Sequence, residues 1–446
     1  MRLTAKLVAR WGMWLLLVSP AQAPAQSSLS AKRHSPADAA AQELNRLLVA
    51  AQDAVQKQDY EAAALDYENY LAKRPEDASV HYNLGYVYTA LLRPEDAKSE
   101  YERAIALAPT DPKMAPAYRN LGMTLLPKDP AAAVGPLQQA VAFQPEDAQS
   151  KWLLGTALER SGKVDAAIEQ FQSAQKLDGK DVEINASLAY ALLSARRFAD
   201  AEAAYRATLA LNPEGATLRQ AHLGLANSLV AQKKLEEAVS EFGTYLALNP
   251  NDADARIERA SALVDLGKGD DALAELDRAA AAGPEGLPAL KLRSQVYWER
   301  KRYDDAVPVL QTAVDLAPRD ADLADRLGRI YLAKRDYPNA LHWLVVAYDI
   351  DPTANDLLGQ VVEAEYLNKN YEQTLASLDT LSKREELPAS SWYLRATCYD
   401  KLGRLPEALD AYQKFLQLNK DENSDMYFVS TSRVRTLTRE LKDKKR

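Results

Sequence analysis

The chain has 446 residues, 47% of them hydrophobic, which is enough for two or three ordinary domains or for one long repeat array. Its formal net charge is -8 at pH 7, and an acidic chain without a basic groove is a poor binder of nucleic acid, because contacts to phosphate dominate that affinity. Its single cysteine, Cys398, can form neither an internal disulfide nor a zinc site.

Residues 1–25 have the three-part pattern of a secretory signal peptide. A basic start is followed by a short, mostly apolar run at 11–18 and then by small residues. Cleavage after Ala25 is favoured, because a cut after Ala23 would have Pro24 directly next to it. The alternative is an uncleaved anchor, but the run is too short for a hydrocarbon core of about 30 Å. We therefore expect an exported bacterial protein, in the periplasm or secreted, without a membrane span after cleavage.

Residues 26–43 are expected to form a polar, flexible segment and the start of the first helix, and a repeat array follows over 44–422. Within the array a helix-ending residue recurs every 34 residues, except for two longer gaps that contain insertions at 109–114 and 214–219. Proline suits this position because it lacks an N–H group and disfavours helix in the residue before it. Spacing this regular indicates a solenoid. The helix-ending residues are Pro75, Pro109, Pro145, Gly179, Pro213, Pro250, Pro284, Pro318 and Pro352.

Each repeat also carries small and large residues at fixed positions. A small residue lets two antiparallel helices approach closely, and a large residue four positions later fills the space beside it. We call these positions the small-residue slot and the large-residue slot. The small-residue slot holds Ala63, Ala97, Ala133, Ala167, Ala201, Ala238, Ala272, Ala306, Ala340, Thr374 and Ala408. The large-residue slot holds Tyr67, Tyr101, Leu137, Phe171, Tyr205, Phe242, Leu276, Leu310, Leu344, Leu378 and Tyr412. The earlier helix has its own small residue at Gly85, Gly122, Gly155, Ala189, Ala226, Ala260 and Gly328.

This pattern resembles the tetratricopeptide repeat family over roughly residues 44–420. The best copies are VHYNLGYVYTALLRPEDAKSEYERAIALAP at 80–109 and KWLLGTALERSGKVDAAIEQFQSAQKLDG at 151–179. The resemblance implies an all-α, right-handed superhelical solenoid of about eleven helix pairs. It also implies that the first helix of each pair lines the concave surface.

Two repeats depart from the pattern. Thr374 replaces alanine in repeat ten, so looser packing is expected there. In repeat six the run Leu-Gly-Leu at 223–225 is out of phase, so Leu225 and Ala226 are expected to fill the slots. After the last repeat, residues 423–446 are expected to form a capping helix with a basic end, because a solenoid needs a polar terminal element.

For the residues that could act in catalysis, metal binding or modification, the sequence also offers a structural role. Four acidic pairs precede the small-residue slot, where a helix macrodipole favours carboxylates: Glu95-Asp96, Glu236-Glu237, Asp270-Asp271 and Asp304-Asp305. His81 and His222 occupy a packing position, Cys398 is expected to be a buried thiol, and Asn185 starts a glycosylation triplet inside a predicted helix. No phosphate-binding loop or catalytic serine motif occurs. We therefore predict no catalytic residues, no cofactor and no metal.

Aromatic and amide side chains on the first helices of repeats 2–5 are the candidate binding residues. Amides can hold both the N–H and the C=O of an extended peptide, and aromatic side chains supply apolar contact. Arg119 would offer a cation to an acidic group or a terminal carboxylate of the partner. The alternative is that these residues only coat a solvated groove and bind no partner. The predicted set is Tyr82, Asn83, Tyr86, Arg119, Asn120, Trp152 and Tyr190; Trp298 is expected on the same face.

The sequence thus favours a non-catalytic scaffold that binds a protein or peptide partner on its first helices. Two alternatives stay open: an accessory subunit of an envelope polymer export or assembly enzyme complex, and a passive spacer or dimerisation rod. The oligomeric state and the identity of the partner are not indicated by the sequence.

Overall fold

The computed structural model describes residues 36–419 and 421–443. Within these residues the chain forms 23 α-helices and one short 3-10 helix at Pro112–Met114, and it has no strand. The predicted signal peptide and most of the 26–43 segment lie outside the described residues. No helix in the described ranges is both long and apolar enough to cross a membrane.

The helices alternate as first and second members of eleven pairs, which we number as repeats 1–11. The first helices are α1 (Pro36–Gln56), α3 (Ala78–Ala90), α5 (Ala115–Leu125), α7 (Ala148–Arg160), α9 (Val182–Ser194), α11 (Gly215–Ala231), α13 (Ala253–Asp265), α15 (Leu287–Glu299), α17 (Ala321–Ala333), α19 (Asn355–Leu367) and α21 (Ala389–Lys401). The second helices are α2 (Tyr60–Leu71), α4 (Pro94–Leu107), α6 (Pro130–Phe143), α8 (Val164–Leu177), α10 (Phe198–Ala210), α12 (Leu235–Leu248), α14 (Gly269–Ala280), α16 (Tyr303–Leu316), α18 (Tyr337–Ile350), α20 (Tyr371–Ser382) and α22 (Leu405–Leu418). The predicted all-α repeat solenoid is confirmed. Repeats 1–6 lie in one compact unit that ends at Asn249, and repeats 7–11 lie in a second unit that begins at Pro250.

Local sequence explains where the helices begin and end. Aspartates such as Asp77 and Asp252 precede first helices and accept a hydrogen bond from a backbone N–H of the first turn. Two residues after most first helices comes a residue with positive φ, which closes a tight turn into the second helix. Glycine is suited to this backbone, but leucine is not. The residues in this turn are Gln58, Leu92, Gly162, Arg196, Lys233, Gly267, Lys301, Arg335, Lys369 and Gly403.

The predicted packing slots form the core of each pair. All eleven residues of the small-residue slot have no exposed surface, and the large-residue slot is also buried throughout. A Cβ atom added at Gly155 would lie 2.6 Å from Phe171, and one added at Gly328 would lie 2.6 Å from Leu344. In repeat 10 the Thr374 hydroxyl is buried but donates a hydrogen bond of 3.0 Å to the Asn370 carbonyl. The slot register predicted from the sequence is therefore confirmed.

The phase slip in repeat 6 also has a physical cause. Leu225 and Ala226 are buried in the expected slots. A Cβ atom at Gly224 would collide with the Tyr205 side chain of the preceding second helix. The glycine that looked out of phase therefore makes room for the large residue of the previous repeat.

The acidic pairs lie in the first turns of second helices, as predicted. One member of each pair also contacts a cation of a neighbouring repeat, as Lys128 Nζ does 2.6 Å from Glu95 Oε1. The other three contacts are Arg206 with Glu237, Arg300 with Asp270 and Lys334 with Asp304. These groups are largely exposed, so each contact adds little to stability.

A terminal helix, α23 (Asp425–Asp443), packs against α22 within the region predicted as a cap. Leu437 is buried between α23 and the last repeat. Arg433 binds Asp400 in a bidentate ion pair, with both nitrogen–oxygen distances at 2.7 Å. Apolar burial and this ion pair together fix α23 on the end of the second unit.

Candidate protein-binding surface on the first helices

Three positions decide what each first helix presents away from its partner helix. They lie three and two residues before the small residue of the first helix, and one residue after it. In repeat 2, around Gly85, they are Tyr82, Asn83 and Tyr86. We call them the outer, inner and following positions, in that order.

Three of the residues predicted to contact a partner are buried, and that part of the prediction is wrong. Tyr82 and Asn83 have no exposed surface, and Asn120 has almost none. The Tyr82 ring packs 6.0 Å from the ring of Tyr101, the large residue of its own repeat, and burial raises the pKa of Tyr82 to about 12. The Asn120 amide lies 3.4 Å from the Tyr101 hydroxyl. These side chains extend the core instead of forming a surface.

The other four predicted residues differ in how exposed their side chains are and in whether other residues of the chain already bind them. Tyr86 is half-buried. Arg119 Nη1 lies 3.1 Å from Asp147 Oδ2, so a neighbouring carboxylate already balances its charge. Trp152 donates its indole N–H to Ser187 Oγ at 2.9 Å. Tyr190 is 56% exposed and is the most open of the set.

The first unit has a depression of about 520 Å³ beside Arg119 and Asp147, and another open surface lies in the second unit, on the first helices of repeats 7–9. Two adjoining depressions of about 320 and 150 Å³ share Gln295 and Arg326. We call them together the repeat 7–9 groove. The larger depression is lined by Ile257, Glu258 and Ser261 of α13, by Pro288, Lys291, Leu292 and Gln295 of α15, and by Arg326 of α17.

The smaller depression is a cavity with an apolar floor and a cationic rim. Leu310 and Ile330 are buried beneath it. Trp298 is 37% exposed at its wall, and the guanidinium of Arg329 lies 5.6 Å from the centre of the Trp298 ring. Stacking of this kind holds a guanidinium in a defined plane. Arg326 completes the rim and donates from Nε to Asp322 Oδ2 at 2.9 Å.

The charges around this groove are only partly neutralised. Lys291 Nζ donates to Asp320 Oδ2 at 2.7 Å, and this hydrogen bond holds the pKa of Asp320 below its usual value. Arg329 has a weaker neighbour, because its Nη1 is 3.8 Å from Asp325 Oδ2, beyond hydrogen-bond distance. Burial raises the pKa of Asp325. Arg329 therefore keeps donor N–H groups for a ligand.

The residues predicted to be structural occupy structural environments. Cys398 is buried, and burial raises the pKa of its thiol to about 11. The His81 ring lies 2.6 Å from Glu100 and 3.0 Å from the Pro75 carbonyl. Asn185, of the glycosylation triplet, is buried within α9. Among residues 36–419 and 421–443 no cluster of three metal-ligating side chains occurs.

The predicted residues occupy these three positions in repeats 2–5, but the prediction did not include the groove. In repeat 8 the equivalent small residue is Ser294, so the outer, inner and following positions are Lys291, Leu292 and Gln295, and all three line the groove. Trp298 was placed on the first-helix face, but it was not selected. A comparison of the same positions across all repeats could have found the groove, because in repeats 7–9 they hold mostly polar and charged residues.

The pairs define a helical repeat scaffold, and comparison with known families agrees. Tetratricopeptide repeat models match residues 48–112, 128–182, 187–238 and 291–355, and two further models of that description match 229–296 and 389–422. The chain belongs to the tetratricopeptide repeat family. Such repeats support a protein–protein interaction scaffold and are typically non-catalytic. No curated protein matches the chain significantly.

Solved structures with similar helix pairs cover parts of the chain. MamA from Desulfovibrio magneticus RS-1 is 20% identical over 38% of this chain and 95% of that chain, with a TM-score of 0.36. A tetratricopeptide repeat protein from Parabacteroides merdae is 14% identical over 57% and 98%, with a TM-score of 0.40. PilF from Pseudomonas aeruginosa is 20% identical over 46% and 92%, with a TM-score of 0.37. These likenesses concern the fold alone.

Proposed function

We propose that this protein is an exported, non-catalytic scaffold that binds a segment of a protein partner in the repeat 7–9 groove. The observation that carries the proposal is the continuity of the two depressions across three successive first helices. A peptide chain can lie across them, with apolar contact at Ile257 and Leu292 and polar contact at Gln295. Gln295 donates to Glu299 at 2.9 Å, and its carbonyl oxygen can accept a hydrogen bond from a partner N–H.

The first unit contributes a second surface in this proposal. Tyr190 is its most exposed member, and Tyr86 occupies the equivalent position in repeat 2. Trp152 and Arg119 support this surface through their contacts with Ser187 and Asp147. Tyr82, Asn83 and Asn120 have no part in it, because they are buried.

Site-specific photocrosslinking in intact cells tests the groove. A photoreactive residue at Gln295 on α15 should capture a protein partner, and the same residue at Gln311 on α16 should not. Both glutamines are exposed and lie in the same repeat, so they form a matched pair. Trp298→Ala should weaken capture at Gln295. Equal capture at both positions, or none at Gln295, would contradict the proposal.

Export rests on the sequence of residues 1–25 and needs its own test. Mass spectrometry of the protein purified from its native source should give an N-terminus at or near Gln26, in an extracytoplasmic fraction. An intact Met1 on cytoplasmic protein would remove export from the proposal and leave the binding groove unaffected.

A further inference from the structure

The cavity at the end of the repeat 7–9 groove has the size and lining of a side-chain pocket. Its volume is about 150 Å³, which is enough for a branched aliphatic group or a phenyl ring. Besides the floor of Leu310 and Ile330, polar Ser294, Gln295 and Asp322 line the cavity, and each already has a hydrogen-bond partner, as the Ser294 hydroxyl has in the Lys291 carbonyl at 2.7 Å. An apolar side chain entering from the groove would therefore be removed from water at little polar cost.

Two guanidiniums stand next to this floor. The side chains of Arg329 and Arg326 are 52% and 41% exposed. Arg329 stacks near Trp298 and has its nearest carboxylate at 3.8 Å, whereas Arg326 uses Nε for Asp322. Arginine has five N–H donors in a planar fork that matches a carboxylate. The two guanidiniums together retain donors for one more carboxylate.

We propose that the cavity binds an aliphatic or phenyl side chain of the partner and that Arg329, assisted by Arg326, binds a carboxylate on an adjacent residue. This inference rests on the proposed function, because it names the chemistry of the segment that the groove takes. The cavity and the larger depression share Gln295 and Arg326, so a ligand that fills both is a chain of several residues and not a small molecule.

The test uses a random dodecapeptide phage library selected against the purified full-length protein. Enriched peptides should carry Leu, Ile or Phe within two residues of Asp or Glu. A synthetic consensus peptide should lose about tenfold or more in affinity for Trp298→Ala and for Arg329→Glu, as expected for a lost charged hydrogen bond or a lost aromatic anchor. Arg319→Glu is the matched control, because it makes the same charge change at an exposed loop residue and should leave affinity unchanged.

A charge exchange makes the assignment specific. Replacing the acidic residue of the consensus peptide by lysine should abolish binding to the wild-type protein and restore it for Arg329→Glu. Trp298→Ala and Arg329→Glu both change exposed side chains, and unchanged thermal unfolding of the two variants would show that the fold is intact. Consensus peptides without a carboxylate, or equal binding to all variants, would overturn this inference while leaving a peptide-binding scaffold. No enrichment on the wild-type protein would also overturn it, and crosslinking at Gln295 would then decide the proposed function separately.

Discussion

Repeats 2–4 and repeats 7–9 use equivalent first-helix positions in opposite ways. The inner position holds buried Asn83, Asn120 and Leu153 in the former, and it holds Glu258, Leu292 and Arg326, exposed or half-buried, in the latter. In repeat 2 the large aromatic residues Tyr82 and Tyr101 pack together and close the surface. One backbone position can therefore extend the core or form an open surface, depending on the neighbouring side chains.

The residue directly before the first-helix small residue differs between the two regions as well. Repeats 2–4 place Leu84, Leu121 and Leu154 there, all buried, whereas repeats 7 and 8 place Arg259 and Arg293. Arg293 lies 2.6 Å from Asp277 and 2.8 Å from Glu285. A shared fold thus tolerates either an apolar or an ionic contact at this position, provided that the charge has partners.

Exchanging leucine and arginine at this position should give the largest effect on the free energy of unfolding. Leu154→Arg should lower the free energy of unfolding by about 3–5 kcal/mol, because a buried charge would lack a partner. Asp277, the partner of Arg293, lies sixteen residues before it. The residue sixteen positions before Leu154 is Gln138, which has no charge to offer an arginine at position 154. Arg293→Leu should cost less, about 1–3 kcal/mol, because Asp277 is largely exposed and can be hydrated, whereas the mostly buried Glu285 loses its partner. Urea unfolding followed by circular dichroism measures both, and equal losses would contradict the comparison.

Overpacking should affect the two regions alike, since they share the packing slots. Gly155→Leu in repeat 4, Ala167→Leu beside it and Gly328→Leu in repeat 9 should each cost about 1–3 kcal/mol. Gly359 on α19 is the control, because nothing lies within 4 Å of an added Cβ there. Gly359→Ala should be neutral or stabilising. Melting temperatures unchanged by the three leucine variants would mean that the slot register is wrong.

A pH-dependent difference is expected between His81 of repeat 2 and Arg256 of repeat 7. Both face a carboxylate, Glu100 and Glu275 respectively. Burial opposes the charged His81 ring, but Glu100 and the Pro75 carbonyl outweigh it, so the His81 pKa is raised. A raised pKa stabilises the fold below the unfolded value of about 6.5, and this contribution is lost as pH rises through the folded pKa.

The stability cost of His81→Gln should accordingly be larger near about pH 5.5 than near about pH 8.5. The cost of Arg256→Gln should be similar at both pH values, because an arginine side chain stays charged throughout this range. Chemical unfolding at the two pH values measures both costs. A His81→Gln cost that grows with pH would reverse the predicted sign.

The smallest effects are expected in the turns with positive φ. Leu92 of repeat 2 and Gly267 of repeat 7 occupy the same turn, with φ of 57° and 72°. Leu92→Gly should stabilise by about 0.5–1 kcal/mol, and Gly267→Leu should destabilise by a similar amount. Leu65→Gly, at an exposed position inside α2, should instead cost about 1 kcal/mol. Loss of stability in Leu92→Gly would show that Leu92 makes a contact that offsets its backbone strain.

The sequence was sufficient for the helix pairs, because Ala167, Phe171 and Gly155 have direct steric roles that recur in each repeat. It was not sufficient to predict which side chains of the first helices are exposed to solvent. Whether Tyr82 faces solvent depends on Tyr101, nineteen residues away, and whether Arg119 is available depends on Asp147. The first pairing lies within one repeat and the second joins two repeats, and a repeat period encodes neither of them. The positive φ of Leu92 was likewise hidden, because leucine gives no signal for that backbone.

The difference between repeats 2–4 and repeats 7–9 can be measured directly by hydrogen–deuterium exchange of the full chain with and without the partner captured at Gln295. Partner binding should slow amide exchange most strongly in α13, α15 and α17 and less in α3, α5 and α7, since bound ligand suppresses local opening. Protection in α3, α5 and α7 without protection in α13, α15 and α17 would contradict the assignment of the binding surface to the repeat 7–9 groove.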